Sequence, residues 1–463
     1  MEILQSVYNT VWGVPALVLI LGVGVCLSVR TGFAQLRSFP KAVNIFCSRM
    51  FGNRKSQDGV SSFQALCTAL AATVGTGNLA GVAGAIAIGG PGAVFWMWLC
   101  GILGMVIKFA EATLAVHYRT KNSAGEFVGG PMYMIRQALP QAFWPLAGIY
   151  AFFGVVAAFG VGNATQINTV ITGISDTLAI FGWALPRWGK LLFGILLAAL
   201  IGAMLLDGAK RIGQIAERMV PFAAVLYILL GMLVLLLRWD RIGDAFAAIF
   251  YGAVSPSAVT GGAIGSAVIT LRTGISRGVF TNEAGMGTAS IAHAGAHVHH
   301  PVEQGLMGII EVFLDTIVIC TMTAFVILVS DVGIPYGFAV GIGLTTEAFS
   351  AVLGPWVSVV ITISLCLFAL ATVLGWGLYG IRCAQYLFGD RAWKGFVYVQ
   401  ITTVILSSVL QADIVWLLAE IINGLMAIPN LIALWALTPT LIHLYKSYLN
   451  GGNYENFHQC QSL

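Results

Sequence analysis

Two membrane-length apolar stretches of this chain are interrupted at their middles by glycines and by residues with polar chemistry. The first interruption reads Val74-Gly75-Thr76-Gly77-Asn78. The second, about 205 residues further on, reads Phe280-Thr281-Asn282-Glu283-Ala284-Gly285-Met286-Gly287. Glycine costs about 1 kcal/mol in a helix interior, and in lipid the freed backbone groups find no water. Such breaks persist where they line a cavity, and a matched pair points to a transporter's substrate site. The alternative is close helix packing through small residues, and an Asn and a Glu within the breaks weigh against it. The chemistry on offer is capture of a zwitterion. Half-helix N-termini present N–H groups and positive dipole ends to a carboxylate, while half-helix C-termini present carbonyls to an ammonium or a cation.

Each residue of the breaks then takes a role with an alternative beside it. Thr76, Gly77 and Asn78 stand at the restart of the first broken helix. Gly77 lets a ligand approach the backbone, and Thr76 and Asn78 add polar side chains; for Asn78 the alternative is an interhelical hydrogen bond. In the second break Phe280 is an apolar lid or wall, or else ordinary core, and Gly285 is a backbone contact. Glu283 is an intramembrane carboxylate and so a site candidate, with an ion pair to Arg277 or Arg272 as the equal alternative. Trp376, in Leu374-Gly375-Trp376-Gly377, is a second wall. Lys108 and Glu111, and Glu311 and Asp315, form pairs at i,i+3 or i,i+4 on helical faces, and buried charges pair. Lys108 with Glu311 or Asp315 is therefore the expected structural pair, with a proton relay as the alternative. The histidines at 293, 297, 299 and 300 have no acid or Cys arrangement to complete a metal site and read as solvated interfacial residues.

The elements that must position these groups follow from composition. Of 463 residues, 58% are hydrophobic and only 9% charged, with mean hydropathy +0.88, against about 25% charged in a soluble protein. The chain is an all-α, multi-pass protein of the lipid bilayer. At about 20 apolar residues per span, eleven helices are expected, over 11–30, 64–88, 92–117, 147–175, 189–206, 212–237, 262–298, 303–329, 355–388, 393–411 and 413–445, the last kinked at Pro429. Sixteen of the 23 basic residues, among them Arg49, Arg54, Lys55, Arg119 and Lys210, fall on one set of alternate loops, and four on the other. The positive-inside rule then puts the N-terminus outside and the C-terminus in the cytoplasm. The first helix with its basic loop occupies 1–63. The remaining ten divide into five-helix repeats over 64–237 and 238–445, followed by a tail, 446–463. The first helix of each five is the broken one, and an odd number per half inverts the second half relative to the first. Segment 331–354, with a short run Thr345–Leu353, reads as an external hairpin cap. The eight cysteines, including Cys460, read as apolar fillers, and the first apolar run as a retained helix. No G-x-x-x-x-G-K-[ST] loop is present, so no nucleotide, nucleic acid or cofactor is expected.

Longer motifs name a family. Thr68-Ala69-Leu70-Ala71-Ala72-Thr73 leading into the first break, Gly89-Gly90-Pro91-Gly92-Ala93-Val94-Phe95-Trp96-Met97-Trp98, Gly129-Gly130-Pro131-Met132-Tyr133, Asn282 to Gly287, Ala292-His293, His300-Pro301-Val302 and Gly375-Trp376 resemble the alanine or glycine:cation symporter family over roughly residues 10–445. The resemblance implies a leucine-transporter-like fold, an inner membrane, and import of alanine or glycine with Na⁺ or H⁺. It places Gln166 mid-helix opposite the breaks, as a substrate contact or a packing hydrogen bond. It also implies a cation cage of neutral oxygens: the carbonyls of Ala71, Val74 and Phe368, the Thr372 hydroxyl, and the Asn78 side-chain oxygen. Ala371 stands where a Ser would add one more hydroxyl. An exchanger or uniporter of the same fold, a channel and a membrane-embedded enzyme are the competing functions; no catalytic dyad supports the last, and paired breaks favour an occluded site over a pore.

Overall fold

The computed structural model describes residues 2–52, 59–206, 208–410, 412–452 and 454. The expected basic residues Arg54 and Lys55, Cys460 and most of the tail lie outside them. The chain is helical almost throughout. We number the helices that carry the argument α1 (Val14–Arg30), α2 (Ser62–Thr73), α3 (Val82–Gly89), α4 (Ala93–His117), α5 (Trp144–Phe159), α6 (Thr165–Ile180), α7 (Arg187–Leu205) and α8 (Gly208–Leu237). The second half gives α9 (Ala267–Asn282), α10 (Thr288–Ala294), α11 (Pro301–Val312), α12 (Thr321–Val329), α13 (Ile342–Leu353), α14 (Val357–Phe388), α15 (Ala392–Ser407) and α16 (Ala412–Ala436). Two-residue strands β1 (Val60–Ser61) and β4 (Ala296–His297) pair in parallel, and β2 (Thr120–Lys121) and β3 (Phe127–Val128) antiparallel.

Both breaks are present. α2 begins with a capping box, in which Ser61 Oγ accepts the Gln64 N–H while Gln64 Oε1 accepts that of Ser61, satisfying two N-terminal donors. It stops at Thr73, and a wide π-type turn, Gly77–Gly81, leads into α3; the two halves are bent by 50°. α9 stops at Asn282. Glu283 takes the left-handed conformation at φ 54°, and Gly285 and Gly287 follow at φ 92° and 76°, a region glycine enters freely and side-chain-bearing residues seldom do. α10 restarts at Thr288.

Among the described residues seven helices are long and apolar enough to cross a membrane, eight with the bent α2–α3 pair counted as one span. The other three expected spans are α1 and α15, which are short, and the second broken pair, which is polar. Several elements depart from expectation. The fourth span runs on to Ile180 and is interrupted by a wide turn at Gly160–Ala164. The last span contains Pro429 and ends at Ala436, short of the expected 445; the chain breaks at Leu437, before a separate helix, Thr438–Leu449, with Pro439 in its first turn, where a missing N–H costs nothing. Helices at Phe39–Phe51 and Ile242–Val254 occupy segments between the expected spans. The second of these touches the start of α4 so closely that a Cβ on Gly92 would lie 2.1 Å from the Gly252 carbonyl carbon. The expected cap is α13, whose Thr345 hydroxyl donates to Leu79 O at 3.0 Å, just beyond the first break.

Candidate functional site

At the first break the chain frees carbonyls before Gly75 and N–H groups after it. The Thr372 hydroxyl, on the long helix α14, lies 3.0 Å from the carbonyl oxygens of Ala71 and Phe368 and 3.5 Å from that of Val74. Four uncharged oxygens thus converge, all from buried residues. The fit is close: a Cβ on Gly75 would lie 2.5 Å from Thr372 Oγ1 and 3.2 Å from Gln166 Oε1. Gln166 enters from α6, its Oε1 accepting the Thr76 N–H at 3.3 Å and its Nε2 donating to Val161 O at 3.2 Å. The Thr76 hydroxyl is fully buried and has no hydrogen-bond partner. A Cβ on Gly77 would meet Thr281 Cγ2 at 3.2 Å and the Phe280 ring at 3.4 Å. The two breaks therefore face each other across Gly77, with Phe280 between them, buried but for 7% of its surface.

Asn78 makes the interhelical bond. Its Nδ2 donates to Asp315 Oδ1 at 2.7 Å, while its Oδ1 accepts the Gly75 N–H at 2.9 Å. Asn282 does the corresponding work at the second break, where its Oδ1 accepts the Ala284 N–H and its Nδ2 donates to Thr316 Oγ1, itself bonded to Asp315 Oδ2. Asp315, fully buried, is thus shared by both breaks, and Lys108 pairs instead with Glu311 at 3.2 Å.

The second break differs from expectation in three ways. The Gly285 N–H does not face a ligand: it and the Gly287 N–H donate to Glu111 Oε1 at 2.9 and 3.0 Å, and Asn430 Nδ2 adds a third bond at 2.7 Å. Glu283 pairs with neither arginine. Arg277 reaches Glu420 at 2.7 Å and Arg272 lies over the Tyr8 ring, while Glu283 accepts from Trp376 Nε1 at 2.8 Å and from the Thr288 hydroxyl at 2.5 Å. Trp376, wholly buried, presses its Cβ toward Gly162, where an added Cβ would come within 2.2 Å. Third, His293 is not solvated. It lies buried between Glu311 at 2.8 Å and Gln304 at 2.6 Å, and Gln304 in turn accepts from the Ser62 hydroxyl. His300 is also buried and accepts the Val302 N–H; burial and nearby Lys41 hold its imidazole down at about 4. His297 and His299 are exposed.

A cavity of about 500 Å³ opens at the end of the bundle that carries β1–β4. Its walls include Ala65 and Thr68 of α2, Ala292 of α10, Leu378 and Arg382 of α14, and Arg119. Thr68 lies about one turn before Ala71, so the cavity stops just short of the oxygen cage.

The family model for the Sodium:alanine symporter family matches residues 1–459. This chain belongs to that family. It is 40% identical over 451 residues to the sodium/alanine symporter AgcS of Methanococcus maripaludis, covering 96% of this chain and 97% of that one. It is 36% identical over 445 residues to the probable sodium/glutamine symporter GlnT of Bacillus subtilis, at 95% and 89% coverage. A crystal structure of MhsT in complex with L-phenylalanine superposes with TM-score 0.56 at 17% identity, covering 84% of this chain and 99% of the other, which shows the leucine-transporter-like fold. The protein is thus a multi-pass membrane transporter of symporter lineage and no enzyme.

Proposed function

We propose that this symporter imports a small neutral amino acid, alanine or glycine, together with Na⁺ by alternating access. The observation that carries the reading is the oxygen cage of Ala71, Val74, Phe368 and Thr372 beside the buried, unpartnered Thr76 hydroxyl. The cage supplies neutral oxygens for a monovalent cation. Thr76, Gly77 and Gln166, with Phe280 and Trp376 as walls, supply the polar and apolar faces of an amino-acid site next to it. Asn78 holds the shape of the break, and its oxygen turns to the cation if the Gly75 N–H releases it. Glu283 and Gly285 support the second break through Trp376 and Glu111 and make no direct contact with substrate. The likeness to AgcS agrees with Na⁺ and alanine as cargo.

On the same reading the basic loops are cytoplasmic, the N-terminus is outside and the membrane is the cell inner membrane. The cavity then opens to the cytoplasm, and the carrier stands open inward. Repeats 64–237 and 238–445 are the two inverted units, and α2–α3 and α9–α10 are their matching first helices.

The test is uptake of labelled alanine into liposomes carrying the purified protein, with an inward Na⁺ gradient or with choline in its place. Uptake that follows the Na⁺ gradient, competed by glycine and serine but not by glutamine, is the expected result. Uptake indifferent to Na⁺, or glutamine preferred over alanine, overturns it.

A further inference from the structure

Beside the second break, four carboxyls and one ammonium are buried together, those of Glu111, Glu283, Glu311 and Asp315 with Lys108. Lys108, Glu111 and Glu311 are wholly inaccessible and Glu283 is 2% exposed. Only Glu311 of the four has a charged group in direct contact. Glu311 is held by Lys108 at 3.2 Å and by His293 Nε2 at 2.8 Å. The other ring nitrogen of His293, Nδ1, faces the Gln304 amide nitrogen at 2.6 Å. Glu111 Oε1 accepts three N–H bonds, from Gly285, Gly287 and Asn430, which fix it to the backbone of the break, while its Oε2 has none. Glu283, like Glu111 and Asp315, has neutral donors alone; its two are the Trp376 indole, which ties it to α14, and the Thr288 hydroxyl. With all four acids ionised, Lys108 would offset one charge of four, and a buried ion without a charged partner takes up a proton instead.

A second observation points into the same pocket. Glu111 Oε2, Asn430 Oδ1 and the hydroxyls of Tyr150 and Tyr379 are buried polar atoms without a hydrogen-bond partner. The Tyr379 ring lies 5.7 Å from that of Trp376, its hydroxyl within electrostatic reach of Glu283, Glu311 and Glu111. The Tyr150 hydroxyl is within reach of Glu111, Glu283 and the Cys383 thiol. The titratable groups facing Glu283 are therefore Lys108 from α4, Glu311 from α11, Tyr150 from α5 and Tyr379 from α14; Glu111, His293 and Asp315 complete the cluster through Lys108 and Glu311.

We propose that Glu283 binds and releases a proton during the transport cycle, so that amino-acid movement is linked to H⁺ at the second break as well as to the cation at the first. This rests on the reading of the protein as a Na⁺-coupled amino-acid symporter. The step is the transfer of one proton between the Glu283 carboxyl and water of the inner cavity, whose walls include Ile291, Ala292 and Leu378. Its effect reaches the cation cage through α14, because Trp376, bonded to Glu283, stands about one turn beyond Thr372.

The test places a pH-sensitive dye inside liposomes carrying the protein and adds alanine under a Na⁺ gradient at several pH values around neutrality. The wild type is expected to change the internal pH with alanine uptake. Glu283→Gln is expected to lose that change and to show a flat pH profile in whatever uptake remains, while Glu283→Asp keeps it. If Glu283→Gln does not transport, calorimetry of alanine binding in two buffers of different ionisation enthalpy replaces uptake: the wild type exchanges a proton on binding and the variant none. Na⁺-driven alanine uptake by the wild type without proton movement overturns the proposal alone, as does a Glu283→Gln variant that still moves or exchanges the proton. No Na⁺-driven alanine uptake by the wild type overturns the proposed function and this proposal together.

Discussion

Asn78 and Asp315 are bonded at 2.7 Å, amide nitrogen to carboxylate oxygen, while the same amide's oxygen closes the first break by accepting the Gly75 N–H. One side chain therefore fixes the turn of the break and anchors it to the helix beyond. Asn78→Ala removes both bonds and leaves Asp315 with a buried oxygen short of a donor. Uptake of labelled amino acid should fall at least about tenfold, equal to about 1.4 kcal/mol. Wild-type uptake at normal membrane expression would remove Asn78 from the site.

The cation cage makes a graded prediction. Thr372→Ala takes away its one hydroxyl and should raise the Na⁺ concentration for half-maximal uptake, with substrate affinity at saturating Na⁺ changing less. Gly75→Ala should do more damage, because its methyl would lie 2.5 Å from Thr372 Oγ1 and 3.2 Å from Gln166 Oε1. Ala371→Ser should strengthen the Na⁺ dependence. Na⁺ titrations of the three variants check the order, and identical Na⁺ curves would place the ion elsewhere.

Substrate size should be set by Phe280 and Trp376. Glycine would leave the space of a methyl unfilled, at about 0.8 kcal/mol, and leucine would overpack the pocket by about 1–3 kcal/mol. Phe280→Ala should admit leucine and methionine as competitors while weakening alanine. Trp376→Ala should do the same but lose more transport overall, since it also removes the indole donor to Glu283. Competition assays on both variants decide this, and an unchanged range in both would clear the two rings of that role.

Lys108 and Glu311 give a stability prediction. Breaking a buried pair from one side costs about 3–5 kcal/mol, whereas replacing both members by apolar residues is often neutral. Lys108→Met should lower the thermal midpoint of the detergent-solubilised protein, and Lys108→Met with Glu311→Leu should recover part of the loss. A single variant as stable as wild type would contradict the pair's role.

His300 should make stability sensitive to acid. Its folded value of about 4 lies below the ordinary 6.5, so the unfolded chain binds the proton first. The contribution of His300 is present above about pH 6.5 and is lost as pH falls toward 4. Thermal midpoints of His300→Asn should therefore drop less than those of wild type over that window. Parallel acid sensitivity in the two would assign the effect to other groups.

The two breaks were legible because glycine and polar residues inside an apolar run violate what lipid tolerates, and Gly75, Asn78 and Gly285 do so openly. The oxygen cage was legible through the family motifs, and Ala71, Val74, Phe368 and Thr372 do converge. Glu111 was not. A single acid in a long apolar helix does not disclose that it will cap the amides of a break some 175 residues away, and the same amides looked free for a ligand. Asn430 was hidden beside Pro429, which drew attention to a kink. His293 was misread because four clustered histidines near a helix end resemble a wet surface, and only tertiary packing puts one of them against Glu311. Lys108 had two partners open to it in sequence, Glu311 and Asp315, and its pairing with Glu311 left Asp315 to Asn78.

The pairing of β1 with β4 has a mechanical consequence. Val60–Ser61 leads directly into α2, and Ala296–His297 follows directly on α10. Ser62 is further tied through Gln304 to His293. The ends of the two broken helices that face the cavity are stitched to each other, so any movement there carries them as a single lever rather than parting them like doors. If the proposed cycle closes the cavity, the approach of that lever to Leu378 on the long helix α14 would do it. A cysteine bridge across Val60 and Ala296 should leave transport running, and one across Ala65 and Leu378 should stop it.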